Sequence, residues 1–147
     1  MTAEEGGANT EARVVIDTSC LLRYLIRPGK AIKELIEVWL LEDRIRLVTS
    51  PELLGELESV LSRDRIRELI HDDEARALLD ALHYKAEILP PLGSIPAYCR
   101  DPKDDKFVAC AIAGDADYLI TVDLDLLELG TIGNVHVVQP HVFVALR

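Results

Sequence analysis

Apolar residues in this chain follow two rhythms that alternate along its length. The run Arg13-Val14-Val15-Ile16 is short and β-branched and stops at Asp17-Thr18-Ser19, after which Leu21, Leu22, Leu25 and Ile26 recur at helical spacing. A strand, a turn and a helix are the expected outcome. Residues 31–41 predict a second helix with Ile32, Leu35, Ile36, Trp39 and Leu40 on one face, and residues 44–49 a second strand. Ser50-Pro51-Glu52 supplies a capping hydroxyl, a first-turn proline and an acid suited to the helix dipole, so a helix opens there and runs to Leu61. Helices over 65–70 and 73–84 lead to a short strand at 87–89, and a proline-rich loop spans 90–102. Beyond it the pattern predicts a helix over 104–113, a strand over 118–122, a short helix after Asp123 and a strand over Val135–Val138. Strands alternating with helices need crossover connections, which predicts an α/β protein: a three-layer α/β/α sandwich around a mostly parallel sheet.

At 147 residues and 49% hydrophobic content, the chain suits one domain with its own core, expected over residues 13–147. The acidic, small residues 1–12 read as a flexible tail and not as a basic-then-apolar secretory signal. Cys20, Cys99 and Cys110 form no CxxC pair and leave an odd thiol, which argues against a disulfide framework or a thiolate zinc site and for a reducing cytoplasm. The longest apolar runs, 118–122 and 142–146, fall far short of the roughly 18 residues that cross a bilayer, so no membrane segment is expected. A formal charge of −10 opposes a phosphate backbone. Bound divalent cations would offset part of it, and the basic residues are clustered.

Several acids sit where chemistry is usually placed. Asp17 and Asp123 each follow a hydrophobic strand, at the sheet end where α/β proteins bind ligands. Each equally suits the start of the next helix as a cap, less so Asp17, because Thr18 and Ser19 offer capping oxygens of their own. In the segment Arg100-Asp101-Pro102-Lys103-Asp104-Asp105-Lys106-Phe107, a turn accounts for Asp101 and a helix cap for Asp104. Asp105, inside the first turn, can project toward the strand aspartates. On the helix from Pro51, Glu56 and Glu58 flank an apolar stripe of Leu53, Leu54, Leu57, Val60 and Leu61, and the helical wheel does not choose between them; Glu52 points further out.

The segments VVIDTSCLL, SPELLGELESVL, DPKDDKFVACA and ADYLITVDLDLL stand in the order and spacing of PIN-domain nucleases. The chain resembles that family over nearly its whole length, and within it the branch of toxin components of bacterial and archaeal toxin–antitoxin pairs (VapC-like). The resemblance implies that Asp17, Glu56, Asp105 and Asp123 are the catalytic and metal-binding acids. It implies that Ser19 supports the site, with Asp104 and Asp125 as neighbouring acids in supporting roles. Ser19 stands where many members carry Asn and Cys20 where an aliphatic residue is usual; neither change removes a ligand. An RNA substrate, a cognate antitoxin and a homodimer are implied as partners. For the dimer, the stretch around Ile32, Ile36, Trp39 and Leu40 is the candidate surface, with core packing as its competing use.

Four carboxylates brought together repel one another unless cations neutralise them. An oxygen-only ligand set suits Mg²⁺ or Mn²⁺ and not zinc. His71, His83, His136 and His141 are scattered at no ligand spacing, so no histidine base is expected and a metal-activated water becomes the nucleophile, leaving a 5′-phosphate. Arg100, Lys103 and Lys106 flank the third acid, and Arg23, Arg27, Lys30 and Lys33 follow the first; each group meets phosphates or is simply solvated. With 5% aromatic residues, base stacking is not the expected mode of recognition. Two alternatives remain: a catalytically silent PIN scaffold that binds RNA or a protein, and an Mg²⁺-dependent phosphotransfer module. The latter wants an aspartate two positions after Asp17, where Ser19 stands.

Overall fold

Side chains of the first strand, β1 (Ala12–Ile16), alternate between two separate cores, and this alternation organises the computed structural model, which describes residues 11–146. Val14 and Ile16 join one apolar cluster and Val15 the other, as the two-residue period of a strand requires when both faces are covered. After β1 come α1 (Thr18–Ile26), α2 (Lys30–Glu34) with a π-helical continuation over Leu35–Leu40, and β2 (Ile45–Thr49). Helices α3 (Pro51–Leu61), α4 (Asp64–Arg67) and α5 (Asp72–Lys85) lead to β3 (Glu87–Ile88). A 3₁₀ turn (Pro102–Asp104) then opens α6 (Asp105–Ala113), followed by β4 (Tyr118–Ile120), α7 (Leu124–Leu127), β5 (Thr131–Ile132), β6 (Val135–Val138) and α8 (Pro140–Leu146).

Six strands form one sheet in the order β3-β2-β1-β4-β6-β5. All neighbours are parallel except the β5–β6 hairpin, and Val14 pairs with Leu47 on one side and Tyr118 on the other. From β1 the chain runs outward through β2 and β3, then crosses back to lay β4 against the other edge of β1. That reversal makes the β1–β4 boundary a topological switch point, where the following loops part and leave a crevice at the carboxyl ends of the strands. Helix α6 packs on the face of Val15 and Leu119, while α1, α3, α5 and α8 cover the face of Val14 and Ile120, giving the expected three layers. Gly114, just after α6, sits so close to β2 that a Cβ there would lie 2.5 Å from Cγ1 of Val48.

Several expectations need adjustment. The tail foreseen over residues 1–12 lies outside the described residues except for Glu11 and Ala12, and Ala12 already belongs to β1. The single helix foreseen over 31–41 changes period at Leu35: the amide of Leu41 bonds the carbonyl of Ile36, and that of Arg44 reaches Trp39, each five residues back. Ile32, Ile36, Trp39 and Leu40, the candidate dimer surface, are all at most 7% exposed and belong to the core instead. Trp39 meets Phe143 of α8 edge to face, with centroids 5.6 Å apart. Neither α8 nor β5 was foreseen, because both are too short to display a period.

Candidate metal centre

Asp17 directly follows β1, its amide bonded to the carbonyl of Ile120 on β4 at 3.1 Å. The carboxylate is 3% exposed. Its Oδ1 accepts from the Ser19 hydroxyl at 2.7 Å and the Cys20 amide at 3.0 Å, and its Oδ2 accepts from the hydroxyl of Thr121. Asp17 is thus itself the cap of α1, which corrects the expectation that Thr18 and Ser19 make it dispensable there. Those hydroxyls have other tasks: Ser19 steadies Asp17, and Thr18 donates to Glu56 at 2.6 Å. Burial raises the pKa of Asp17 against the opposing effect of the Thr121, Ser19 and Cys20 contacts.

Thr121, fully buried, is the site residue that sequence reading missed. Besides donating to Asp17, its oxygen accepts the amide of Asp123 at 2.9 Å. One hydroxyl thereby sets the end of β1 against the end of β4. The available signal was a lone hydroxyl within the apolar run Tyr118-Leu119-Ile120-Thr121-Val122. Asp123 in turn caps α7, its Oδ1 accepting the Asp125 amide at 2.8 Å.

The segment around α6 separates two adjacent acids. Asp101, as expected of a turn residue, receives the Lys103 amide at 3.0 Å and caps the 3₁₀ turn. Asp104 makes no capping bond, contrary to expectation, because the helix is already opened by Asp101 and the turn. The residue is 9% exposed, and its Oδ2 is buried with no hydrogen-bond partner. Burial, together with the charges of Asp123, Asp101, Asp125 and Asp17, pushes its pKa up to about 6. Asp104, Asp123 and Asp125 each offer an oxygen within 4.8 Å of the other two. Asp105 turns elsewhere: its Oδ1 receives the amides of Tyr98 at 2.9 Å and Cys99 at 2.7 Å. Burial alone would raise its pKa, but these donors outweigh it and leave the group below the usual carboxylate range.

On α3 the two candidate glutamates part. Glu58 is exposed. Glu56 faces α1 and α6, with Oε2 accepting from Thr18 and Oε1 paired to Lys106 Nζ at 2.6 Å. Glu52 does not point outward as expected; its Oε2 holds the amide of Leu92 at 2.9 Å, and its Oε1 is buried without a partner. Glu52 and Asp105 therefore pin the proline-rich loop at two places.

Asp104, Asp123 and Asp125 thus form a compact oxygen cluster, with Asp17 beside it through Thr121 and Glu56 linked through Thr18. The donors are all carboxylates, and an orphaned buried oxygen among them is the arrangement a hard divalent cation fits. All four histidines are exposed. Arg100 pairs with Glu128 at 3.2 Å, and Arg23, Arg27, Lys30 and Lys33 are exposed along α1 and α2. A groove of about 400 Å³, lined by Tyr24, Leu25, Ile36, Leu41 and Leu78 among others, contains none of the clustered acids.

Comparison with known proteins agrees with this layout. A search of the curated proteins finds no match to the sequence. Among solved structures, VapBC2 from Rickettsia felis, determined bound to a DNA fragment from their promoter, contains a chain of similar fold, with a TM-score of 0.57 and 15% identity. The likeness covers 86% of this chain and 98% of that one. The model of the PIN domain matches residues 13–125, a span that runs from β1 to α7 and holds Asp17, Glu56, Asp104, Asp105, Asp123 and Asp125, and the chain belongs to the PIN-domain family.

Proposed function

We propose that this chain is a metal-dependent endoribonuclease that hydrolyses RNA phosphodiester bonds at the carboxylates gathered beyond β1 and β4. The observation that carries this reading is the buried, unpartnered Oδ2 of Asp104 beside Asp123 and Asp125. Three acids this close repel one another and gain by sharing a cation. Asp104, Asp123 and Asp125 would hold Mg²⁺ or Mn²⁺, with Asp17 at their side. The chemistry such an ion supplies is activation of a water molecule and neutralisation of charge on the phosphate. Thr121 and Ser19 orient Asp17, and the Thr121 oxygen also fixes the backbone of Asp123. We assign the third acid of the family pattern to Asp104 in place of Asp105, whose Oδ1 is committed to the loop at Tyr98 and Cys99.

The fold likeness to VapBC2 supports a role as the toxin of a toxin–antitoxin pair, with a cognate antitoxin as partner. A homodimer, if formed, uses a surface other than Ile32, Ile36, Trp39 and Leu40. Three free cysteines are in keeping with a reducing compartment such as the cytoplasm, and no described helix is long and apolar enough to cross a membrane. Incubation of single-stranded RNA with Mn²⁺ tests the reading. Cleavage by the wild type, none by Asp104→Asn and none in excess EDTA are expected. RNA binding without cleavage would favour the silent-scaffold alternative.

A further inference from the structure

Four leucines, Leu124, Leu126, Leu127 and Leu129, lie in α7 or just after it, and three of them serve the core. Leu126 is fully buried in the cluster around Val15 and Leu119, and Leu127 and Leu129 pack against that cluster. Leu124 stands apart at 77% exposed. Among the large exposed apolar residues described, only Tyr84 is more exposed, and it carries a hydroxyl that water can solvate. Leu124 has no polar side-chain atom. Its place in the chain is equally particular: it lies between Asp123 and Asp125, two of the three acids whose oxygens converge. No other large exposed apolar residue among those described adjoins a clustered acid in the chain. One helical step, about 100°, separates Leu124 from Asp125, so the acids meet at the cluster while Leu124 stands in solvent at its rim.

We propose that Leu124 seats a nucleobase next to the scissile phosphate and is a substrate-contacting residue of the ribonuclease site. This deepens the reading given above and rests on it. A phosphodiester brought to Asp104, Asp123 and Asp125 carries its two nucleosides to the residues that border those acids. Phosphate and ribose stay hydrated, whereas the face of a base is largely apolar and gains by leaving water. An exposed aliphatic side chain thus attracts a nucleotide without the positive charge that a cluster of acids cannot supply. It covers the face of the ring and reads none of the donors and acceptors on its edge, so the contact selects an unstacked base of any identity. A nucleotide within a duplex, covered on both faces by its neighbours, cannot use it.

Cleavage kinetics in Mn²⁺ test the proposal, with an RNA that the wild type cuts at one place, synthesised intact and with either flanking nucleotide made abasic. Leu124→Gln should raise KM for intact RNA about tenfold with kcat nearly unchanged, as loss of a buried apolar contact predicts. Leu124→Met should keep the wild-type KM. For the wild type, one of the two abasic RNAs should carry the same penalty without any change to the protein, and Leu124→Gln should suffer none further from it. Melting temperature and Mn²⁺ binding of Leu124→Gln should match the wild type, because the side chain is exposed and is not a ligand. Unchanged KM in Leu124→Gln, an abasic penalty equal in both proteins, or loss of Mn²⁺ binding in the variant overturns this proposal alone. No cleavage by the wild type overturns the ribonuclease reading and this inference with it.

Discussion

Asp17 and Thr121 lie 104 positions apart and share a buried hydrogen bond in which the threonine hydroxyl donates to Oδ2 of the aspartate. The same oxygen accepts the amide of Asp123, so a single side chain aligns the ends of two parallel strands and the acids they carry. Without it, a buried carboxylate loses a donor and a backbone amide loses its acceptor. Thr121→Val, nearly the same in shape, should cost about 1–3 kcal/mol of stability. It should also weaken Mn²⁺ binding, while Thr121→Ser keeps both. Urea denaturation and Mn²⁺ titration check this; a valine variant with wild-type values in both would remove Thr121 from the site.

Asp104 and Asp105 are neighbours in the chain whose side chains turn different ways, one toward Asp123 and Asp125 and the other onto the loop amides of Tyr98 and Cys99. Asp105→Asn should lower metal-free stability by about 1–2 kcal/mol, because a charged acceptor of two amides is replaced by a neutral one. Its Mn²⁺ affinity should survive. Asp104→Asn should abolish Mn²⁺ binding and raise metal-free stability, since a neutral amide relieves both burial of charge and repulsion. Melting curves in EDTA and calorimetry with Mn²⁺ separate the two, and the converse pattern would return the third acid to Asp105.

The raised pKa of Asp104 has a definite sign in the pH dependence of stability. Its pKa moves from 3.8 to about 6 on folding, so the unfolded chain releases the proton first and gains stability relative to the native state. Through this group, metal-free stability declines between pH 4 and 6 and is level above. Asp105 and Glu87, both lowered, act in the other direction: the stability they contribute is present at neutral pH and is lost on acidification. Denaturation in EDTA across this range should show the advantage of Asp104→Asn over wild type growing as pH rises. A constant difference would mean that Asp104 does not titrate there.

Cleavage products should carry 5′-phosphate and 3′-hydroxyl ends. A histidine pair that activates the ribose 2′-hydroxyl would leave a cyclic phosphate instead, and His71, His83, His136 and His141 are all exposed on separate elements or loops. Activity should also fall as salt is added, because contacts to phosphate from groups such as Arg23 and Lys33 are screened. End-group analysis decides the matter: a 2′,3′-cyclic phosphate, or cutting that persists in EDTA, would rule this chemistry out.

Much of this molecule was legible in one dimension because the relevant physics is local. The β-branched run 13–16, the Ser50-Pro51-Glu52 helix start and the stripe from Leu53 to Leu61 each depend on side-chain period and capping within a few residues, and each formed as expected. The placement of Asp17 and Asp123 after apolar strands was legible for the same reason, since strand ends and ligand crevices coincide in parallel sheets. Contacts between distant segments decided the rest. The helical wheel left Glu56 and Glu58 equivalent until Thr18 and Lys106 approached one of them. Asp104 and Asp105 differ by one residue, about 100° of rotation on a helix. Which of them faces the cluster was decided by the 3₁₀ turn that precedes α6 and by a loop whose amides captured Asp105. Trp39 and its neighbours suited a core face more than an interface, and the packing of α8 against them settled it. Period and composition determine which elements form and which end of the sheet collects acids; the direction in which a polar side chain turns depends on donors and charges that only folding brings within 3 Å of it.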